Sequence, residues 1–498
     1  MRTVFARDFD LLPADDRGFT KRLNALLDDL RSEPGVTLRF EPGTYHFYPD
    51  GAPVETLCIP NHHLDGERSI VFHLGDMVDF TLDGGGAEFL FHGELLPFYC
   101  ARTRGLRLRR FTVDFPRPVL SQGRVLKSAP GRLTMEIDPA AYPWQIEGET
   151  LLFTGEGYCL PPDRMLEFDT VTRAPAQKAL DFWLAPEEAR NVQGLRAAAL
   201  TARTVELTAE EGGAWGNVTE GNTMILWHHL RTHPGVYVPD SADFFCEDAT
   251  FYHAAGIAIL AERTENVSLS RVRVLCRPGS GRLFSAMADA AHFVACYGSI
   301  RIEACAFENQ MDDAVNIHGI YGIVRERTAQ NGIEMELHHD MQLGAYIGRV
   351  GDTVSLLRAD TMLPYWSGTL AGITRLSPER FSLTFDAPLP QALRLGDVVE
   401  DVTAKPDAHI KSCAFCNNRG LRAVAAVLFR AHAPFVWGVY DGRTCIPTKK
   451  TVSAAKAPRR ARDADLRVRP ARGGRRAHRH RGAEHFIEHT LGHRICAR

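Results

Sequence analysis

A chain of 498 residues is long enough to bury a sizeable core and to hold more than one structural unit. Its formal net charge of −3 argues against nucleic acid as a default partner, and no run of roughly 18 apolar residues is present to cross a membrane. The 11 cysteines are odd in number and scattered through apolar strand patterns, which suits buried thiols or a reducing compartment better than a disulfide framework.

Asp8 and Asp10 stand where the apolar core of a signal peptide would lie, so none is expected at the start of this chain. Phe19, Leu23, Leu26, Leu27 and Leu30 then recur at helical spacing, with Asp15 or Asp16 as the expected N-cap and Pro34-Gly35 as the stop. Strands are expected at 36–40 and 45–47, on either side of the turn Glu41-Pro42-Gly43-Thr44. A helix in that place would cover the open end of a stacked β core. Asp83-Gly84-Gly85-Gly86 lacks the Lys-Ser/Thr of a phosphate loop and reads as a corner where glycine permits positive φ.

An apolar pattern h-x-h-x-x-h-x-h sets the architecture. It appears as Leu106, Leu108, Phe111, Val113, and again as Phe244, Cys246, Ala249, Phe251. Val267, Leu269, Val272, Val274 repeat it 23 residues later, followed by Ile300, Ile302, Cys305, Phe307 and by Ala408, Ile410, Cys413, Phe415. Segments 298–309 and 407–418 also agree in the Asn that closes them. A strand–bend–strand unit recurring at this spacing predicts an all-β chain built as a right-handed parallel β-helix.

Two intervals interrupt the coils, and both are rich in short alternating strands. Glu147-Gly148-Glu149-Thr150 in the first matches Val350-Gly351-Asp352-Thr353 in the second, and Glu220-Gly221-Asn222-Thr223 matches Leu395-Gly396-Asp397-Val398. The strands Arg132–Pro139 and Phe381–Pro388 match as well. Two related antiparallel β-barrel insertions follow, placed to wall a cleft or to support a homodimer. The expected units are a cap and first coils at 1–115, a barrel at 116–235, central coils at 236–319, a second barrel at 320–406 and a last recognisable coil at 407–446. From 447 to 498 the composition shifts to Arg, Ala, Gly and His, which reads as a non-native or frame-shifted tail.

The chemistry concentrates between Asp289 and Gly319. Asp289 precedes one apolar strand, and Asp312-Asp313 precede the next, one coil further on. At the bend between faces of a coil, all three carboxylates can line one external groove. Crowded carboxylates cannot all ionise easily, so one keeps its proton at neutral pH while another activates water. An inverting glycosidase needs its two carboxyls roughly 6.5–9.5 Å apart, a spacing that adjacent rungs supply. Asn316 and His318 are candidates to hold sugar hydroxyls, His292 is a candidate on the apolar strand after Asp289, and Glu308 and Arg282 are further candidate contacts without a spacing argument. His228-His229 and His338-His339-Asp340 have no spacing partner for a metal and read as barrel loops, while Cys413-x-x-Cys416 lacks a second pair and reads as core. Neither a metal nor a cofactor is expected.

The run ADAAHF through DDAVNIHG resembles glycoside hydrolase family 110, and more distantly the polygalacturonases, which share a lone Asp followed by an Asp-Asp pair. The resemblance spans about residues 5 to 420. It implies a β-helix with two barrel insertions and a metal-independent bacterial exo-α-1,3-galactosidase acting on linear or blood-group-B-type α-galactosyl glycans with inversion. It further implies Asp312 as general acid, Asp289 and Asp313 as the groups that activate water, and relatives that are usually exported. Another β-helix polysaccharide hydrolase and a non-catalytic carbohydrate-binding β-helix stay open as alternatives.

Overall fold

The computed structural model describes residues 2–418 apart from 63–65, 177–178, 180, 186–190, 211–213 and 338–339. Beyond 418 it describes the backbone of three short strands, Val427–Arg430, Ile446–Pro447 and Val452–Ala454. The unusual tail expected from 447 onward otherwise lies outside the described residues, as do His338 and His339.

The repeat residues stack in register. Phe244, Val267, Ile300 and Ala408 are successive partners in one parallel ladder, and Phe251, Val274, Phe307 and Phe415 in its continuation round the bend. All of them are buried in one core. This ladder supplies two faces of each coil. The third face is a separate parallel sheet that includes Leu96–Tyr99, Val236–Pro239, Ile259–Glu262, Ala291–Val294 and Val315–His318. The chain therefore winds as a parallel β-helix with three strand stations per coil.

The bend between the first two faces is built by a left-handed residue at the same place in each coil: Arg110, Asp248, Arg271, Ala304 and Ser412 have φ between 50° and 60°. Each costs on the order of 1 kcal/mol for a residue with a Cβ, offset by the apolar side chains that the bend turns inward. Arg271 adds a fork of hydrogen bonds to Asp248 at 2.6 and 2.8 Å. In the earlier coil the Gly-rich corner does this work. A Cβ on Gly84 would lie 2.6 Å from the carbonyl oxygen of Arg110, so only glycine lets the rungs approach there.

The helix runs over Phe19–Leu30, and Phe19, Leu23, Leu26, Leu27 and Leu30 are its buried apolar face. Its N-cap is Gly18 rather than an aspartate; Asp16 accepts from the Gly18 amide instead. The strand Arg2–Phe5, which has no apolar repeat to announce it, pairs in parallel with Val36–Arg39 as an extra first rung.

Two insertions leave the coils at opposite ends of the third-face strands. The first departs after Asp114 and returns before Val236; the second departs after His318 and returns before Asp407. The second closes into a six-stranded barrel between Tyr321 and Asp401. The first curls as an antiparallel path over 120–227 with a separate three-stranded sheet, Trp144–Leu160. Their kinship is visible in the backbone. Val125 exchanges hydrogen bonds with Asn222 and Gly221 as Val324 does with Asp397 and Gly396, and Ala197 donates to Glu149 as Leu370 does to Asp352. After Gly148, however, the strand leaves for the three-stranded sheet, and Arg164–Asp169 takes the place beside Thr223–Trp227.

Each insertion shares a core with the coils. Ala255, Leu283, Phe284, Met287 and Met311, from the turns entering the third face, belong to the core of the first. Tyr99, Tyr237, Leu260 and Val294, on the outer side of the third face, join that of the second. There Tyr297 donates to Asp352 at 2.8 Å and lies 3.3 Å from Asp401. Burial, and then the charge on Asp352, lifts the Asp401 carboxyl to about 7. A carboxyl whose folded pKa lies above its unfolded value of 3.8 loses stability as pH rises from about 4 to about 7. Asp401→Asn keeps an oxygen for the Thr403 and Ala404 amides. It should therefore raise unfolding stability above pH 7 by on the order of 1–3 kcal/mol and leave it unchanged near pH 4, as read from urea melts.

Candidate active site

The turns that enter Ala291–Val294 and Val315–His318 hold the three acids. Register pairs Ala291 with Val315, so Asp289 and Asp313, each two residues earlier, occupy the same place on adjacent rungs. Asp312 stands one position before it and faces outward: its side chain is 28% exposed, whereas Asp289 and Asp313 are each 3% exposed as residues. The Asp313 amide donates to Asp289 Oδ1 at 3.3 Å, and the Asn316 amide reaches Asp313 Oδ2 at 3.4 Å. The buried Oδ1 of Asn316 has no hydrogen-bond partner among the described residues.

Burial pushes the Asp289 carboxyl well above the ordinary carboxylate range, and the neighbouring charge of Asp312 pushes it further. Its Oδ2 meets His292 Nδ1, His292 Nε2 meets His318 Nε2 at 2.7 Å, and His318 Nδ1 donates to the Gly319 carbonyl at 2.7 Å. His292 lies on the outer side of the third face, in register with Leu260 and Asn316. It sits outside the apolar core, and its place on the strand points it at the acids.

One functional group has no signal in the spacing. Arg231, from the segment that returns from the first insertion, bonds Asp312 Oδ2 at 2.7 Å. Burial opposes its charge, but Asp312, Asp289 and Asp313 outweigh that cost and raise its pKa. The signal available was the basic composition of His228–His233, immediately ahead of a third-face strand. In that segment His228 and His229 are buried rather than loop-exposed, with His228 stacked on Phe153 at 5.0 Å between ring centres. Burial also holds His233 down at about 3. Among the described residues no cluster of His, Cys, Asp and Glu is arranged to hold a metal ion.

Arg282 and Glu308 are not brought to the acids. Arg282 is buried against Asp114 Oδ1 at 2.6 Å and the Phe115 carbonyl, where it anchors the departure of the first insertion. Its charge is consumed by that carboxylate. Glu308 ends the strand Ala306–Glu308, and its backbone carbonyl accepts the Ser285 hydroxyl. Cys413 points into the β-helix core.

Residues 121–204 match the GLAA-B beta-barrel domain I family and residues 332–399 match GLAA-B beta-barrel domain II. A protein of Bacteroides thetaiotaomicron named Alpha-1,3-galactosidase B is 29% identical over 84% of this chain and 68% of its own length. Alpha-1,3-galactosidase A of Shewanella woodyi is 29% identical over 85% of this chain and 68% of its own length. The solved family 28 exopolygalacturonase of Yersinia enterocolitica is 15% identical, with a TM-score of 0.23 over 65% of this chain and 46% of that one, a likeness too slight to argue from. The chain is thus related over most of its length to bacterial proteins named α-1,3-galactosidases, and it carries two domains of the GLAA-B barrel families.

Proposed function

We propose that this chain is a glycoside hydrolase that removes terminal α-1,3-linked galactose from the non-reducing end of glycans, with inversion at the anomeric carbon. The observation that carries the reading is the gathering of Asp289, Asp312 and Asp313 in the turns of adjacent rungs, in a chain so related. Asp312, the exposed member, is the acid that a glycosidic oxygen can reach, and it donates the proton to the leaving group. The buried carboxyls behind it activate the water. Adjacent rungs are about 4.8 Å apart in backbone terms, and side chains leaning outward from them reach the separation that an inverting pair needs.

Arg231 holds Asp312 Oδ2 in the ligand-free structure, beside the place where the leaving oxygen would lie in this reading. Asn316 Oδ1 offers a buried acceptor for a sugar hydroxyl. Exo action is supported by the resemblance and by the two insertions that flank the third face at both ends of its strands.

Incubation with linear and B-type α-1,3-galactosyl oligosaccharides, followed by proton NMR, tests the reading. β-Galactose should appear first and mutarotate afterwards. The α anomer appearing first would contradict inversion, and no free galactose from either substrate would contradict the activity. Asp312→Asn should lower kcat by about 10²–10⁴-fold while the thermal melt stays at the parent value; near-parent turnover would remove Asp312 as the acid.

A further inference from the structure

The segment 309–313, which carries two of the acids, is tied to the first insertion at its start. The insertion strand Arg164–Asp169 folds back onto Ala174–Pro175 through a turn closed by the Arg173 amide on the Asp169 carbonyl at 2.8 Å. Arg173 has a left-handed backbone, φ 58°, and its carbonyl accepts from Asn309 Nδ2 at 2.7 Å. The second hydrogen of that amide goes to the Leu283 carbonyl at 2.8 Å, in the segment that leads to Asp289. Arg173 Nη2 donates to the neighbouring Arg282 carbonyl at 2.7 Å. Both partners of the Asn309 side chain are carbonyls, which only accept, so its NH2 group must face them. Its Oδ1 has no hydrogen-bond partner among the described residues, and the whole residue is buried. Three pieces of chain therefore meet at this amide: the insertion and the turns of both acid-bearing rungs.

We propose that Asn309 and Arg173 are positioning residues for Asp312, and that the first insertion sets the placement of the general acid through them. The inference rests on the hydrolase reading above. Asp313 is fixed from the other side: the Ala290 amide bonds its carbonyl at 3.0 Å, its own amide lies on Asp289, and the ladder begins two residues later. Asp312 stands one residue ahead, between that ladder and the junction at Asn309. Just before it, the Met311 amide bonds the Ala286 carbonyl at 3.0 Å, and the Met311 side chain lies in the insertion's core. The Asn309 backbone is left-handed, φ 57°, and its carbonyl takes the Ser285 amide at 2.9 Å. The direction in which the chain leaves toward Asp312 is set at that residue, and the side-chain amide holds it there.

Removing the Asn309 amide takes the donor from two carbonyls, and the chain between 309 and 312 gains freedom to shift. A misplacement of about 1 Å at a reacting group costs up to about 10²-fold in rate. The loss falls on the transfer that uses Asp312. In that step the water oxygen bonds to the anomeric carbon as the glycosidic bond breaks, the water's proton passes to the buried carboxyls, and the Asp312 proton passes to the departing oxygen. α-Galactosyl fluoride bypasses the last transfer, because fluoride leaves as an anion with no proton to receive. It still needs the water and its base.

Leaving-group dependence separates this role from a merely structural one. Asn309→Gly keeps the left-handed backbone and removes only the amide. It should lower kcat on an α-1,3-galactosyl disaccharide by about 10–10²-fold, and kcat on α-galactosyl fluoride by less than about threefold. Arg173→Gly keeps the carbonyl that Asn309 bonds and removes the guanidinium, so it should show the same preference at smaller size. Equal losses on the two substrates in Asn309→Gly overturn the proposal, since a general loosening of the fold harms both alike. In ligand-free protein, amide hydrogen exchange over residues 309–313 should be faster in Asn309→Gly than in the parent, with 291–294 and 315–318 unchanged. Unchanged exchange over 309–313 also overturns the proposal, whatever the activity. Parent protein that releases galactose from neither substrate contradicts the hydrolase reading, and the exchange result then judges the junction separately.

Discussion

The parallel ladder between Ala291–Val294 and Val315–His318 is the constraint on which the rest depends. It fixes Asp289 and Asp313 at equivalent places on neighbouring rungs, about 4.8 Å apart along the stack, and a slip of one residue would turn one of them into the core. Holding like charges that close is unfavourable, and the structure offsets the cost with directed contacts: the Asp313 amide on Asp289, the Asn316 amide on Asp313, Arg231 on Asp312, and the two histidines behind Asp289. The scaffold is rigid where the acids sit because Ala290, Ala291, Ala314 and Val315 beside them are buried in the β-helix core.

The insertions complete what the ladder begins. The first departs from the same turn of an earlier coil that carries the acids in later ones, so its returning segment delivers Arg231 to Asp312. Its core also takes Met287 and Met311, which sit beside Asp289 and Asp312 in the two turns. The second departs directly after His318 and covers the outer side of the third face through Tyr99, Tyr237, Leu260 and Val294. The acids are thus held between two bodies that are both continuous with their own strands.

The architecture was legible because its signal is a repeat. The h-x-h-x-x-h-x-h residues are those that stack, and the second of the two intervening positions is the left-handed corner in each later coil. Membership of the acid group was legible for the same reason, since Asp289 and Asp312-Asp313 stand at equivalent turns. What was not legible depends on contacts across long separations. Arg231 is 81 residues from Asp312, and Arg282 is claimed by Asp114, 168 residues away. The partners of His292 also depend on register: Asp289 lies on its own strand's turn, but His318 comes from the next rung. A capping aspartate was expected at the helix, but the chain turns at Gly18 and the aspartate bonds that residue's amide instead.

The claim on which the account stands is that the anomeric carbon is attacked between the exposed acid of one position and the buried acids behind it. The most direct measurement is a crystal structure of the Asp312→Asn variant with a terminal α-1,3-galactosyl disaccharide. The account predicts the glycosidic oxygen within hydrogen-bonding distance of residue 312 and a water, held by Asp289 and Asp313, on the opposite side of the anomeric carbon. A disaccharide bound with its glycosidic bond away from residues 289, 312 and 313 would contradict it.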